Sequence, residues 1–432
     1  MNGQLIAQRL VERGLDASSV EDTATLYNQA IGAFGRLNAD PPRHAWWVPG
    51  RLEVFGKHTD YAGGRTLVAA VPRGFAFVAS SRGDDIVRVA DGRDAQDVCL
   101  DSSGTRKTFT GWRHYAEVVV ARLARNFPGA HLGADVIFMS NLPRASGMSS
   151  SSALVVGLAI ALVRLAGIAA RDEWRANIRN AIEAAGYFAC IENGMTFGGL
   201  EGDAGVGTHG GSEDHVAMIC GVPGALSAYS FVPIRHLCDV TLPADWRFVI
   251  ASSGVRAEKT GSSQDAYNRL SDGSAALLRL WNAAETTAPS LAAATGSSPD
   301  AVARLRRIVR NTGVPGWSPD ALERRLDHFL REDARVAAAV EAMSRADRAA
   351  FGRLATASQL DAEALLGNQI ADTVALARTA PDHGAFAACS FGAGFGGSVW
   401  ALTDRAQADA LAASWHAATF IATPSPAATE VV

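Results

Sequence analysis

The 432 residues, 48% of them hydrophobic, suffice for two or three domains with large cores and exclude overall disorder. Forty Lys and Arg residues against 44 Asp and Glu give a formal charge of -4, so no strong field exists to collect nucleic acid or an anionic membrane, and a small ligand fits better. The five cysteines, Cys99, Cys190, Cys220, Cys238 and Cys389, are scattered and form no CxxC or Cys/His cluster, as expected of reduced core thiols in a cytoplasmic protein.

The N-terminus, MNGQLIAQRLVERGLD, mixes charges into its first turns and lacks the apolar core of a signal peptide. Next comes GRLEVFGKHTDYAGG, residues 50–64, whose four glycines surround Arg51, Lys57, His58, Asp60 and Tyr61; it reads either as a surface turn or as the wall of a polar ligand site. Strands are predicted at FAFVASS, ADVIFMS, RFVIASS and SVWALT, rich in branched and aromatic residues and bounded by turn formers. The second of these runs into NLPRASGMSSSSALVVGLAIAL, a strand, a Gly/Ser loop and a long apolar helix. That order sets the free N–H groups of Gly147 to Ser151 at the positive end of a helix, where phosphate oxygens are stabilised. One serine would suffice as a cap, and four exceed that need. The GxxxxGK[ST] pattern is absent. Although the apolar run that follows is about long enough to span a bilayer, Arg164 and the polar loop before it favour a buried helix.

In GTHGGSEDHVAMICG, Asp214 follows a Gly-Gly turn and precedes an apolar helical run; it could take a proton from a substrate hydroxyl or simply cap the helix. Residues 283–299 read as a loop, and residues 320–357 as a long helical pattern whose charges form a solvated face. Gly392, Gly394 and Gly397 have GxGxxG spacing but lead into a strand, so they predict a tight backbone approach to a ligand or to the serine loop, not a dinucleotide fingerprint. ATPSPAATEVV reads as a loose tail.

Taken in order, PGRLEVFGKHTDYAGG, LPRASGMSSSSA and GAGFGGSVWAL resemble the three signature motifs of the GHMP small-molecule kinases, with the galactokinase branch, GRxNxIGEHTDYNGG in its first motif, most similar. The resemblance runs from about residue 40 to 410 and implies an α+β fold of two domains. A ribosomal-S5-like N-terminal domain (1–235) and a ferredoxin-like C-terminal domain (236–432) would hold ATP, Mg2+ and a sugar in the cleft between them. It implies an ATP-dependent sugar 1-kinase, cytoplasmic, with sugar and ATP as its partners, no nucleic acid or membrane, and a monomeric or homodimeric state.

By the same resemblance, Pro143, Ser146, Gly147, Met148, Ser149, Ser150, Ser151 and Gly394 bind ATP. Ser151 faces magnesium, and Glu192 or, because of the inserted GGLEGDAGVG, Glu201 completes the metal site. Asp214 and Arg51 match the catalytic pair; Lys57, His58, Asp60, Tyr61, Gly211 and Tyr267 match the sugar pocket. There are departures: Glu53 and Ala62 stand for asparagines, Ala145 for a glycine, His215 for a glutamine, and Lys57 for the glutamate beside the sugar's C6 hydroxyl. A lysine there suits a C6 carboxylate, which points to galacturonate, or swings outward along the surface and says nothing of substrate. A sugar and ATP sensor without turnover, and another GHMP kinase, are the competing functions.

Overall fold

A computed structural model describes the chain except residues 95, 102–108, 144–146, 256–261 and 417 and the side chains of 262 and 263. The first sheet contains β1 (His44–Phe55), β2 (Arg65–Ser81), β3 (Ile86–Asp91), β4 (Gln96–Asp101), β5 (Ala134–Ser140), β6 (Ala225–Ser230) and β7 (Arg235–Thr241). The second contains β8 (Trp246–Ser252), β9 (Ala387–Phe391), β10 (Ser398–Asp404) and β11 (Thr419–Ala422), in the order β11-β8-β10-β9. All four runs predicted as strands lie in strands. β7 pairs with β6 in the first sheet, so the expected boundary at 235/236 runs through it.

β1, β2 and β5 are apolar almost without interruption because both faces of their sheet are covered. Side chains alternate between two cores: Val48, Phe77 and Phe138 pack beneath the helix Ser150–Leu165, while Trp47, Val78 and Ile137 meet Ile6, Leu10 and Phe34 of the N-terminal helices. Most of the apolar run at 152–170 is thus a buried helix, as expected, which ends at Leu165. The first of these cores continues into the second sheet, where Phe55 lies 5.4 Å from Phe351 and 6.0 Å from Trp400, ring centre to ring centre. A third core, with Leu277, Trp281, Leu305, Leu326 and Phe329, belongs to a helical insertion between β8 and β9, which also folds part of the expected 283–299 loop into Leu291–Thr295.

Two expectations are corrected. The C-terminal tail is not loose: it adds β12 (Thr429–Glu430) to the edge of β1 and buries Val431 against the N-terminal helices. Its small residues let the backbone lie close, with Ser425 N–H donating to Ala70 O and Ala428 N–H to Met218 O. Deleting residues 423–432 is expected to lower the denaturation midpoint, since Val431 alone contributes about 2 kcal/mol of apolar burial; urea unfolding of the truncated chain measures this. The second correction concerns residues 320–357, which form two helices, Pro319–Ser344 and Arg348–Asp361. Their charges are not all solvated: Arg325 is 3% exposed, and His328 and Glu332 are fully buried.

Candidate active site

Two cavities meet at Arg51. The larger, about 880 Å³, lies beside the serine helix and is lined by Gly147, Ser149, Ser150 and Ser151 on one side and by Phe109, Trp112 and Tyr115 on another. The smaller, about 40 Å³, is lined by Glu53, His58, Asp60, Tyr61, Gly211, Asp214 and Tyr267. Arg51 and Ala393 border both.

β1 delivers Arg51 to this junction. Its Nε donates to Asp214 Oδ1 at 2.6 Å, Nη2 pairs with the same carboxylate, and Nη1 donates to Gly147 O at 3.0 Å. Burial by itself would depress the guanidinium's pKa, but Asp214, Glu213 and Glu53 outweigh it and keep the group charged. On its other oxygen Asp214 accepts from Ser149 Oγ, which is also 2.9 Å from Ser152 Oγ. Ser149, the N-cap, therefore spends its hydroxyl on its neighbours and not on the helix's first N–H groups, which leaves those donors for an anion in the larger cavity. Ser149 holds this pose with φ of +56°, a left-handed conformation unusual for a side-chain-bearing residue.

The glycine cluster before β10 packs directly against this loop. A Cβ on Gly392 would lie 2.6 Å from Gly147 O, so the two backbones touch as the close-approach reading expected. Gly394 does not reach the larger cavity: its open side is filled by Asn368, and Ala393 is the residue of this loop that borders both cavities. Met148 also turns inward, 1% exposed, and only its carbonyl serves the site by accepting Arg51 N–H. Pro143 leads into Ser146, which lies outside the described residues.

The HTDY turn builds the smaller cleft. His58, with φ of +56°, has Nε2 3.1 Å from Ala393 O and Nδ1 2.9 Å from Tyr61 Oη. The carbonyl can only accept, so Nε2 carries the proton and Nδ1 accepts from the tyrosine. Tyr267 packs its ring 5.5 Å from that of His58. Burial raises the pKa of Asp60, against the opposing hydrogen bond from Glu213 N–H. Gly211 packs directly against it: a Cβ there would sit 2.0 Å from Asp60 Oδ2, so a larger residue would displace that carboxylate.

Lys57 departs from both expected placements. It faces neither the cleft nor solvent: fully buried, its Nζ donates to Ser358 Oγ at 2.9 Å and lies 3.2 Å from Cys389 Sγ and 3.9 Å from Glu332 Oε1. Glu332 also accepts from Gly56 N–H at 3.0 Å, Arg325 donates to His58 O, and Asp333 accepts from Arg65 N–H at 2.7 Å. One face of the helix Pro319–Ser344 thus grips the turn at both ends, and Lys57 is drawn into that grip. Burial would lower the lysine's pKa, but Cys389, Glu332 and Glu53 together raise it.

At the floor, Glu192 is buried and accepts from Ser152 Oγ at 2.7 Å, whereas Glu201 is an exposed partner of Arg125 at 3.2 Å. Of the two candidates for the metal site, the cleft contains Glu192. The serine that meets it is Ser152; Ser151 lines the larger cavity beside Tyr115. Sequence reasoning missed the aromatic wall of Trp112 and Tyr115, the acids Glu53 and Glu213 as a pair, and Arg325.

The match to known proteins extends across the site. Residues 33–81 fit the galactokinase galactose-binding signature, 114–195 the GHMP kinases N terminal domain, and 339–422 the GHMP kinases C terminal domain. These three matches make the chain similar along its length to the GHMP kinases, with the galactokinase signature among them. It is an ATP-dependent phosphotransferase with an alcohol group as acceptor. The galactokinase of Chloroflexus aurantiacus is 29% identical over 408 residues, 91% of each chain, and that of Streptomyces coelicolor 27% over 392 residues, 88% of this chain and 89% of that one. Lactococcus lactis galactokinase complexed with galactose shares the fold at a TM-score of 0.76 and 21% identity, over 93% of this chain and 99% of its own. Methanococcus jannaschii mevalonate kinase does so at 0.54 and 13%, over 88% and 98%. Among the described residues no helix is long and apolar enough to cross a membrane.

Proposed function

We propose that the chain transfers the γ-phosphoryl group of ATP to the C1 hydroxyl of a neutral, galactose-like hexose. The observation that carries this reading is the Arg51–Asp214 pair at the junction of the two cavities, with the serine helix on one side and the HTDY turn on the other. Asp214 holds the acceptor hydroxyl and takes its proton as the phosphorus–oxygen bond forms; Arg51 faces the oxygens on which charge accumulates. Phosphoryl transfer needs little else from the protein than alignment and neutralisation.

His58 and Asp60 hold the sugar's hydroxyls, with Tyr267 as a wall. Glu192 and Ser152 offer the oxygen donors a hard cation prefers, and Mg2+ held there would supply positive charge to neutralise the phosphates. A neutral acceptor is favoured over a uronic acid for two reasons. Lys57, the one cation that pointed to a C6 carboxylate, is withdrawn, and the cleft already carries Glu53, Asp60, Glu192, Glu213 and Asp214 against Arg51.

The test is coupled ADP release with galactose, glucose, galactosamine and galacturonate, beside calorimetric binding of the same sugars. Galactose is expected to turn over with kcat/KM at least about tenfold above galacturonate, a difference of about 1.4 kcal/mol. Binding without ADP release would mark a sensor, and a preference for galacturonate would overturn the choice of acceptor.

A further inference from the structure

Arg51 and Glu53 are two residues apart on β1, so both project from one face of the strand into the acceptor cleft. Glu213 enters the same cleft from the helix Glu213–Ile219, immediately before Asp214. Its Oε1 lies 3.3 Å from Arg51 Nε, and its carboxyl is hydrogen-bonded to that of Glu53. Glu53 is 3% and Glu213 5% exposed, and one oxygen of each, Oε1, has no hydrogen-bond partner among the described residues. An ionised carboxylate only accepts, so a hydrogen bond between two carboxyl groups requires a proton on one of them. Two buried acids in contact cannot both ionise without a large electrostatic cost.

The surrounding charges come from every neighbouring element: Arg51 on β1, Lys57 and Asp60 on the turn after it, Asp214 on the helix of Glu213, and Glu332 on Pro319–Ser344. His58, Glu192 and His215 lie farther round the cleft.

We propose that Glu53 and Glu213 share one proton and act as a positioning pair, presenting a single negative charge that holds Arg51 in line with Asp214. With one charge, the pair steadies the guanidinium without monopolising it. With two, it would compete with Asp214 and the transferring phosphoryl group for Arg51 and repel the phosphates. Burial lifts the pKa of Glu53 to about 7, with Arg51 and Lys57 pulling the other way, and raises that of Glu213 well above its ordinary value. Glu53 is therefore the first of the pair to ionise, near neutrality, while Glu213 keeps the proton they then share to higher pH.

The catalytic half of this proposal rests on the sugar-kinase reading; the sharing of the proton does not, and the experiment separates them. Wild-type kcat is expected to rise by up to about tenfold between pH 6 and 8, in a single titration, as the pair takes on its one charge. In Glu53→Gln the amide oxygen accepts from a protonated Glu213 and no charge forms on the pair near neutrality, so that rise disappears; Glu213→Gln serves as the second variant. Thermal melts need no turnover. The folded chain keeps a proton that an unfolded glutamate releases near its ordinary value of 4.5, so wild-type stability should decline from about pH 4.5 to about 7 more steeply than that of Glu53→Gln. Parallel melts overturn the shared proton. Divergent melts with superimposable kcat profiles overturn the positioning role, while absence of turnover with every sugar refutes the kinase reading and leaves the melts to judge the pair.

Discussion

Asp214→Asn is expected to lower kcat by about two to four powers of ten, the range for removing a positioned general base. The amide nearly preserves the shape of the carboxylate, and Arg51 still has Glu213 Oε1 at 3.3 Å and Gly147 O at 3.0 Å to orient it. The cleft should therefore survive while its proton acceptor is lost. KM for the sugar should move much less than kcat, because His58, Asp60 and Tyr267 lie on elements that the substitution does not touch. Single-turnover ADP formation, read beside calorimetric binding of nucleotide and sugar, separates the two effects. A variant that retains more than about a third of wild-type kcat would mean that Asp214 is only a hydrogen-bonding partner and that alignment alone carries the reaction.

Local patterns made the nucleotide half of the site legible. The strand, Gly/Ser loop and apolar helix at 134–162 appear in space in that order, and the glycines at 392–397 close against the loop, because each feature depends on residues adjacent in the chain. The acceptor half was less legible because its geometry is set across distances of about 270 residues, by Arg325 and Glu332 acting on residues 56–58. A signal existed nonetheless. Taken at helical spacing, Arg325 and Glu332 occupy the same stripe as Leu322, Leu326, Phe329 and Val336, and a charge on an apolar stripe needs a buried partner. Reading those charges as a solvated face discarded it. The tail was misread for a related reason: prolines and alanines look loose until a strand edge receives them, and Trp46 pairs in register with Glu430, Trp47 with Thr429.

Lys57→Met is expected to destabilise the fold and leave sugar preference unchanged, the reverse of what a substrate-reading lysine would do. With Nζ gone, Glu332 remains fully buried, holding Gly56 N–H, Ser358 and Arg335, the last at 2.8 Å. Breaking a buried ion pair from one side costs about 3–5 kcal/mol, and the surviving arginine argues for about 3. Lys57→Glu should be worse, since it sets a second carboxylate against Glu332 with no water to screen either. If repulsion is the cause, adding Glu332→Lys to Lys57→Glu should recover part of the loss, a coupling that a double-mutant cycle isolates. Urea unfolding gives the stabilities, and the ratio of kcat/KM for galactose over galacturonate gives the preference. Should Lys57→Met keep its unfolding midpoint and shift that ratio more than tenfold, the side chain reaches the acceptor during turnover and the withdrawn pose is not the one that binds sugar.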